Sequence, residues 1–143
     1  MKSTQGELQH RARKRFGQNF LEDDGIIQRI VRSIASTEQD HLVEIGPGKG
    51  AITQWLVEGC DKLDVVELDR DLAAWLTEKY QSHKHFTLHQ ADALKFDFSS
   101  LQQGDKPIRI LGNLPYNIST PLIFHLLGYH ELVSDMHFML QKE

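Results

Sequence analysis

The sequence predicts an α/β fold in which a parallel sheet carries helices on both of its faces. Two observations lead to this prediction. After an initial helix, apolar runs and segments of helical spacing follow in the order strand, helix, strand, helix, strand, strand, helix, strand. A glycine-rich turn joins the first strand directly to the next helix. Strands separated by helices form βαβ units, and such units assemble into parallel sheets that helices cover.

The first half of the chain is predicted to contain three helices and two strands. Isoleucine and valine residues three or four positions apart indicate an amphipathic helix over 23–36. The apolar run LVEI at 42–45 indicates a buried strand, and helical spacing resumes over 50–58 after the turn GPGKG. A second strand at 63–69 and a helix over 70–80 complete this half.

The second half is predicted to contain three strands and one helix. FTLHQAD at 86–92 alternates like a strand, and residues 93–106 are expected to form a loop. A fourth strand is predicted at 107–113 and a fifth at 136–140. The helix between them is expected to begin with two capping residues and a first-turn proline, namely Ser119, Thr120 and Pro121.

The charge distribution predicts a basic arm at residues 1–15 ahead of a domain at 16–143. The arm contains five Lys or Arg residues against one acidic residue, whereas the whole chain has a net charge of −4. A basic arm on an acidic domain suits a polyanion such as RNA or DNA. A solvated tail is the alternative. The basic residues within the arm's cluster are Arg11, Arg13, Lys14 and Arg15.

Composition favours a cytoplasmic protein without membrane or metal partners. No run approaches the roughly 18 apolar residues of a membrane span, and the polar N-terminus does not resemble a secretory signal. The single cysteine, Cys60, cannot form an internal disulfide, which suits a reducing compartment. His83, His85 and His89 lie close in sequence, but no cysteine or second cluster completes a metal site.

A ligand site is predicted at the carboxyl ends of the strands. Gly46 and Gly48 allow the backbone to turn tightly and approach a ligand. Glu67 ends the second strand, where it could accept hydrogen bonds from ribose hydroxyls, and Asp92 ends the third. The alternative for the glycine loop is a tight strand-to-helix turn without a ligand. The alternative for Glu67 and Asp92 is that they are solvated polar residues at strand ends. The spacing G-x-G-x-G after Glu44 resembles the first motif of S-adenosylmethionine-dependent methyltransferases.

The stretch NLPY at 113–116 resembles the motif of enzymes that methylate exocyclic or amide nitrogens. The amino nitrogen of adenine is a poor nucleophile because its lone pair is delocalised into the ring. The Asn113 side chain and the Leu114 carbonyl could accept hydrogen bonds from that amino group and localise the lone pair. Pro115 stiffens the turn, and Tyr116 offers a ring on which the base can stack.

Five motifs in order, FGQNFL, EIGPGKG, VELD, QADAL and GNLPYNIS, resemble the ribosomal RNA adenine dimethyltransferases, most closely the bacterial small-subunit (16S) enzymes. The resemblance implies a Rossmann-like sheet that binds S-adenosylmethionine. It implies cofactor contacts from Gln18, Asn19, Leu21, Gly46, Gly48, Glu67, Asp92, Ala93 and Asn113. It implies target-adenine contacts from Asn113, Leu114 and Tyr116, and RNA contacts from Phe16 and the basic residues before it.

The resemblance implies dimethylation of adjacent adenines in the small-subunit rRNA of immature 30S particles. An RNA-binding assembly factor with little catalysis is the alternative. A DNA-adenine or protein-glutamine methyltransferase is a third possibility, against which Leu114 and FGQNFL argue. Family members are nearly twice as long, so the last strands and a helical domain are expected to be absent. The open edge of the fifth strand, with Met136, Phe138 and Leu140, is then expected to favour self-association.

Overall fold

The computed structural model describes residues 22–141, which form a five-stranded parallel sheet. The strands are β1 (His41–Ile45), β2 (Lys62–Glu67), β3 (Phe86–Gln90), β4 (Ile108–Pro115) and β5 (Val133–Gln141). Their order in the sheet is β3-β2-β1-β4-β5, and every pairing is parallel. The strand order reverses between β1 and β4, and ligands of such sheets bind at this switch point. The predicted fold class is confirmed.

Helices cover both faces of this sheet, as the alternation of elements predicts. The helices are α1 (Asp24–Ile34), α2 (Thr53–Leu56), α3 (Arg70–Lys79) and α4 (Tyr116–Leu127), with a 3₁₀ turn at Phe98–Leu101. Residues from α1, α2 and α3 pack in one apolar cluster against the sheet. Residues from α4 and the 3₁₀ turn pack in a second cluster on the other face. Adjacent strand residues such as Leu42 and Val43 belong to opposite clusters because side chains alternate along a strand.

Capping residues determine where two of the helices begin. The Asp23 side chain accepts a hydrogen bond from the Ile26 N–H at the start of α1. The Asp69 side chain accepts from Asp71 and Leu72 at the start of α3. Both caps satisfy backbone donors that have no partner within the first helical turn. Asp69 therefore belongs to the helix cap, and the predicted strand at 63–69 ends two residues earlier, at Glu67.

The boundaries of α4 differ most from the prediction. The helix begins at Tyr116, directly after β4, so Ser119 and Thr120 lie inside it and Pro121 is not in its first turn. The Ser119 hydroxyl donates to the Tyr116 carbonyl oxygen at 2.7 Å instead of capping a new helix. Burial of Ser119, Leu122 and Leu126 against the sheet stabilises the earlier start. Packing here overrides a local capping preference.

Several other boundaries also move. The helix predicted over 50–58 is regular only over Thr53–Leu56, and β3 ends at Gln90 instead of 92. The loop predicted over 93–106 contains the 3₁₀ turn, whose Phe98 is fully buried. The fifth strand extends over Val133–Gln141, well beyond the predicted 136–140. No helix in residues 22–141 is long and apolar enough to cross a membrane.

Candidate cofactor and adenine site

A cleft opens at the carboxyl edge of the sheet, where β1, β2, β3 and β4 end. It is the place at which the topology predicts a ligand. Most of its wall is apolar, and a few polar side chains project from the strand ends, as is usual in small-molecule sites. The lining residues are Ile45, Gly46, Val66, Glu67, Leu68, Ala91, Asp92, Ala93, Leu94, Asn113, Leu114, Pro115, Asn117 and Ile118.

The glycine loop brings backbone to this cleft. Gly46 has a φ of 64° and Gly48 a φ of 61°, a left-handed conformation that side chains disfavour. The Gly46 N–H donates to the Val66 carbonyl oxygen at 3.0 Å, which ties the start of the loop to the end of β2. Gly46 lines the cleft, as predicted. Gly48 is not part of the lining, and its N–H is directed toward Glu67.

Glu67 is the buried acid of the cleft. Its side chain is 2% exposed, and its Oε2 accepts a hydrogen bond from the Asp69 N–H at 2.8 Å. Within the described residues its other oxygen, Oε1, is buried without a partner. Burial raises the pKa of Glu67 to about 7, although the Asp69 N–H opposes the rise. An unpaired buried acceptor on a ligand cleft is what a ribose hydroxyl would satisfy.

Glu44 is a second buried acid, one strand away. It is 2% exposed, and the Thr53 hydroxyl donates to its Oε1 at 2.5 Å. Burial raises its pKa to about 7, the Thr53 hydrogen bond lowers it, and the charge of Glu67 raises it. Glu44 is not part of the cleft lining, so its influence on a ligand would pass through its neighbours.

The end of β3 contributes Asp92 and Ala93, both of which line the cleft. The Asp92 Oδ1 accepts a hydrogen bond from the Leu94 N–H at 3.0 Å, and its carbonyl accepts from the Lys95 N–H. These bonds hold the turn after β3 in place. The structure therefore brings Asp92 and Ala93 to the same cleft as Glu67 and Gly46.

The end of β4 contributes the NLPY stretch. Asn113 is half-buried and lines the cleft, and Leu114 is 2% exposed, with its side chain packed in the core. Pro115 precedes α4 with a φ of −59°. Tyr116 is 62% exposed and is not among the lining residues, although both of its sequence neighbours are. Tyr116 is thus an exposed residue that lies between two cleft-lining residues in the sequence.

Several lining residues were not singled out from the sequence, among them Leu68 and Asn117. Leu68 follows Glu67, lines the cleft and is 49% exposed, so it offers an apolar contact there. Asn117 lies in the first turn of α4, one position after Tyr116. Leu68 could have been predicted to line the cleft, because it directly follows the acidic residue that ends β2. Asn117 could be placed only once the true start of α4 was known.

The remaining predicted contacts fall outside the described residues. They are Gln18, Asn19 and Leu21 for the cofactor, and Arg11, Arg13, Lys14, Arg15 and Phe16 for RNA. The boundary between arm and domain at residues 15 and 16 also falls there.

The histidines at 83, 85 and 89 have separate partners. The His83 Nε2 lies 2.9 Å from Glu58, and the His89 Nε2 lies 2.8 Å from Asp64. His85 contacts the Val57 carbonyl oxygen. Across residues 22–141, no group of three or more His, Cys, Asp or Glu side chains is arranged to hold a metal ion.

The sequence profile of the family described as ribosomal RNA adenine dimethylase matches residues 9–143. The chain belongs to this family. It is 63% identical over 142 residues to a "Ribosomal RNA small subunit methyltransferase A" of Saccharophagus degradans, covering 99% of this chain and 53% of that protein. A protein of the same name from Pseudomonas aeruginosa is 59% identical over 135 residues, covering 94% and 50%. The chain thus spans about half the length of these curated relatives.

Solved structures agree with this assignment. The 23S rRNA methyltransferase ErmE matches with a TM-score of 0.72 and 26% identity, over 86% of this chain and 48% of that one. A dimethyladenosine transferase from Plasmodium falciparum matches with a TM-score of 0.73 and 27% identity, over 87% and 44%. An RNA methyltransferase from Salinibacter ruber, solved with S-adenosyl-L-homocysteine, shares the fold with a TM-score of 0.64.

Proposed function

We propose that this chain transfers methyl groups from S-adenosylmethionine to the exocyclic amino nitrogens of adenines in small-subunit rRNA. The observation that carries the proposal is the convergence of Gly46, Glu67, Asp92 and Asn113 on one cleft. Family membership supports it, because the curated relatives are named as small-subunit rRNA methyltransferases. Dimethylation of two adjacent adenines, as part of ribosome biogenesis, is the form that the family resemblance implies.

The residues of the cleft fit the cofactor. The buried Oε1 of Glu67 has no partner in the described residues and would accept hydrogen bonds from the ribose hydroxyls. Asp92 and Ala93 would hold the adenine amino group, with Leu68 as an apolar contact for the ring. Gly46 would approach the amino acid end, alongside Gly48, Gln18, Asn19 and Leu21. When bound, S-adenosylmethionine supplies an already activated methyl group, so the protein's task is alignment and electrostatics.

The end of β4 would hold the target adenine. The Asn113 carboxamide and the Leu114 carbonyl accept hydrogen bonds from the amino group, which localises the nitrogen lone pair. The exposed ring of Tyr116 stacks on the base, and its electrons favour the positive charge that develops on nitrogen. No strong general base is needed, because the alkylated nitrogen is itself acidic. Pro115 limits the motion of the turn that presents these groups.

Substrate binding would depend on the basic arm. Arg11, Arg13, Lys14 and Arg15 would contact RNA phosphates, and Phe16 would lie toward the RNA. The partner is the small-subunit rRNA in an immature 30S particle, which places the protein in the cytoplasm. The second candidate function is an assembly factor that binds this particle with little catalysis.

Single-turnover transfer of radiolabelled methyl groups to small-subunit particles tests the proposal. The chain is expected to methylate the particles, and Asn113→Ala to slow transfer by about 10²-fold with cofactor affinity nearly unchanged. Tyr116→Phe should be milder than Tyr116→Ala, because the ring face carries the effect. A wild-type chain that binds particles without methylating them would support the assembly factor instead. Equal damage from the two tyrosine variants would contradict the stacking role.

Self-association through β5 is a further part of the proposal. In the described chain β5 is an edge strand, with Met136 39% and Leu140 50% exposed, while Phe138 is half-buried. An exposed apolar edge of this kind invites pairing with a second copy. Light scattering at high concentration is expected to detect dimers or larger species. A monodisperse monomer would contradict the idea.

A further inference from the structure

The outer surface of α4 is apolar. The helix contains no Lys, Arg, Asp or Glu, although much of it faces solvent. Ile123 is 37% exposed, Phe124 69% and Leu127 50%. A helix on a protein surface normally carries charged and polar residues on the side away from the core. A contiguous apolar surface of this kind marks a site at which another surface packs.

The exposed apolar residues of α4 point in two directions. Successive residues of a helix are about 100° apart. Ile123 and Leu127 each directly follow a buried residue, so they lie on one flank, beside the face that packs on the sheet. Phe124 is two residues from both Leu122 and Leu126, which are buried, and it therefore points away from the sheet.

The flank that carries Ile123 and Leu127 faces beyond β5. On the opposite flank, the His125 Nε2 lies 2.7 Å from the Phe96 carbonyl oxygen. The Phe96 ring contacts His89 of β3, so this opposite flank faces the β3 side of the sheet. Ile123 and Leu127 consequently face the other side, where β5 is the edge strand of the described residues.

The strand β5 adds an apolar surface at the same place. Met136 and Leu140 are exposed, and their register partners in β4 belong to the apolar cluster under α4. Both side chains therefore lie on the face of the sheet that α4 covers. The helix contacts both β4 and β5, so it lies above the line between these strands. The residues that form this α4–β5 surface are Ile123, Leu127, Met136 and Leu140.

A second copy of the chain fits the α4–β5 surface by its dimensions. Neighbouring strands are about 4.8 Å apart. If β5 pairs antiparallel with β5 of a second copy, each α4 lies one strand spacing from the two-fold axis, and the two helices are about 10 Å apart. Packed helices are separated by about 8 to 10 Å. The two flanks would therefore meet, with Met136 and Leu140 of both copies beneath them.

Charge and area also favour a second copy. The phosphates of RNA would find no Lys or Arg on α4, whereas an identical helix is equally uncharged. The exposed side chains and the edge of β5 offer several hundred Å² on each copy, approaching the roughly 800 Å² per partner of a standard interface. In an isologous interface every contact occurs twice.

We propose that the flank of α4 packs against the same flank of a second copy, in a two-fold dimer whose sheet continues through β5. The inference rests on the proposed self-association through β5 and assigns it a second contact surface. Tyr116 lies on the same flank, two helical turns before Ile123. The dimer therefore covers the Tyr116 ring, and only the monomer presents it to the target adenine.

Light scattering over a range of concentrations tests the α4 contact. The wild-type chain is expected to form dimers, and Ile123→Ser combined with Leu127→Ser should raise the dissociation constant about tenfold or more. Thr120→Arg, an exposed position three residues before Ile123, places a charge in both flanks and should act in the same direction. It serves if the double variant does not fold.

Phe124→Ser is the matched control for this test. Phe124 is more exposed than Ile123 or Leu127, but it points away from the sheet, so its loss should change the dissociation constant little. An effect as large as that of the double variant would indicate unspecific apolar association and overturn the inference. Dimers that persist unchanged in the double variant and in Thr120→Arg would overturn the α4 contact while leaving pairing through β5 intact. A monomer at every concentration would contradict both.

Methyl transfer to small-subunit particles tests whether the dimer covers Tyr116. The rate per wild-type chain should fall as the chain concentration rises through the dissociation constant of the dimer, because dimerisation removes monomer by mass action. The Ile123→Ser, Leu127→Ser double variant should show no such fall over the same range. A wild-type rate per chain that is independent of concentration would overturn the covering of Tyr116. Absence of transfer at every concentration would contradict the proposed methyl transfer and not the dimer.

Discussion

A β-carbon placed on Gly112 would lie 2.7 Å from the carbonyl oxygen of Ile45. The two residues are register partners, Ile45 as the last residue of β1 and Gly112 within β4. Backbone of one strand therefore occupies the space that a side chain on the other would need. The contact lies one residue before Asn113, so the closeness of these strands also determines where the NLPY stretch meets the cleft.

Gly112→Ala is expected to force the two strands apart. We expect a loss of about 1 to 3 kcal/mol in the free energy of unfolding, the usual scale for overpacking in a well-packed site. Affinity for S-adenosylhomocysteine should fall as well, because Ile45 and Asn113 both line the cleft. Gly59→Ala is the control, since its nearest neighbour, the Ser36 Oγ, is 4.0 Å away. Urea unfolding compares the two, and equal stability would contradict the steric argument.

Asp64 should contribute stability that acid removes. It is 3% exposed and accepts hydrogen bonds from His41 at 2.6 Å and from His89 at 2.8 Å. Burial alone would raise its pKa, but these bonds and the charge of Lys62 lower the pKa to about 2. A depressed folded-state pKa gives stability that is present above the unfolded value of 3.8 and is lost as the pH falls toward about 2.

Asp64→Asn should therefore cost about 2 kcal/mol of unfolding free energy at neutral pH and much less near pH 2. Urea unfolding at several pH values measures the difference between variant and wild type. Asp61→Asn, on an exposed residue that pairs with Lys106, is the control and should change stability little. A constant difference across the acid range would show that Asp64 acts through packing alone.

Charge on the arm should determine RNA affinity. Replacing Arg11, Arg13, Lys14 and Arg15 with alanine is expected to weaken binding to small-subunit rRNA. The slope of the logarithm of RNA affinity against the logarithm of salt concentration should become shallower. The change is up to about one for each phosphate that the arm no longer neutralises. Affinity for S-adenosylhomocysteine should remain as it was, which serves as the internal control. An unchanged RNA affinity and salt slope would identify the arm as a solvated tail.

The positions of the acids could be predicted because they depend on sequence order alone. Once the strands are parallel, Glu67 and Asp92 must share an edge with the glycine loop, and the structure places them there. The start of α4 could not be predicted, because a capping preference at Ser119 competes with burial of Leu122 and Leu126. The burial of Glu44 beside Glu67 could not be predicted either, because it results from packing. The sequence alone shows only an acidic residue near the end of a strand.

The most direct test of the central claim is a calorimetric titration with S-adenosylmethionine at about pH 8, where the Glu67 carboxyl is ionised. The account predicts that the wild-type chain binds. It predicts that Glu67→Ala and Asp92→Ala each lose about 1 to 3 kcal/mol, the scale of a hydrogen bond to a charged group. Asp61→Ala, far from the cleft lining, should bind as the wild type does. Unchanged affinity in both cleft variants would contradict the assignment of this cleft to the cofactor.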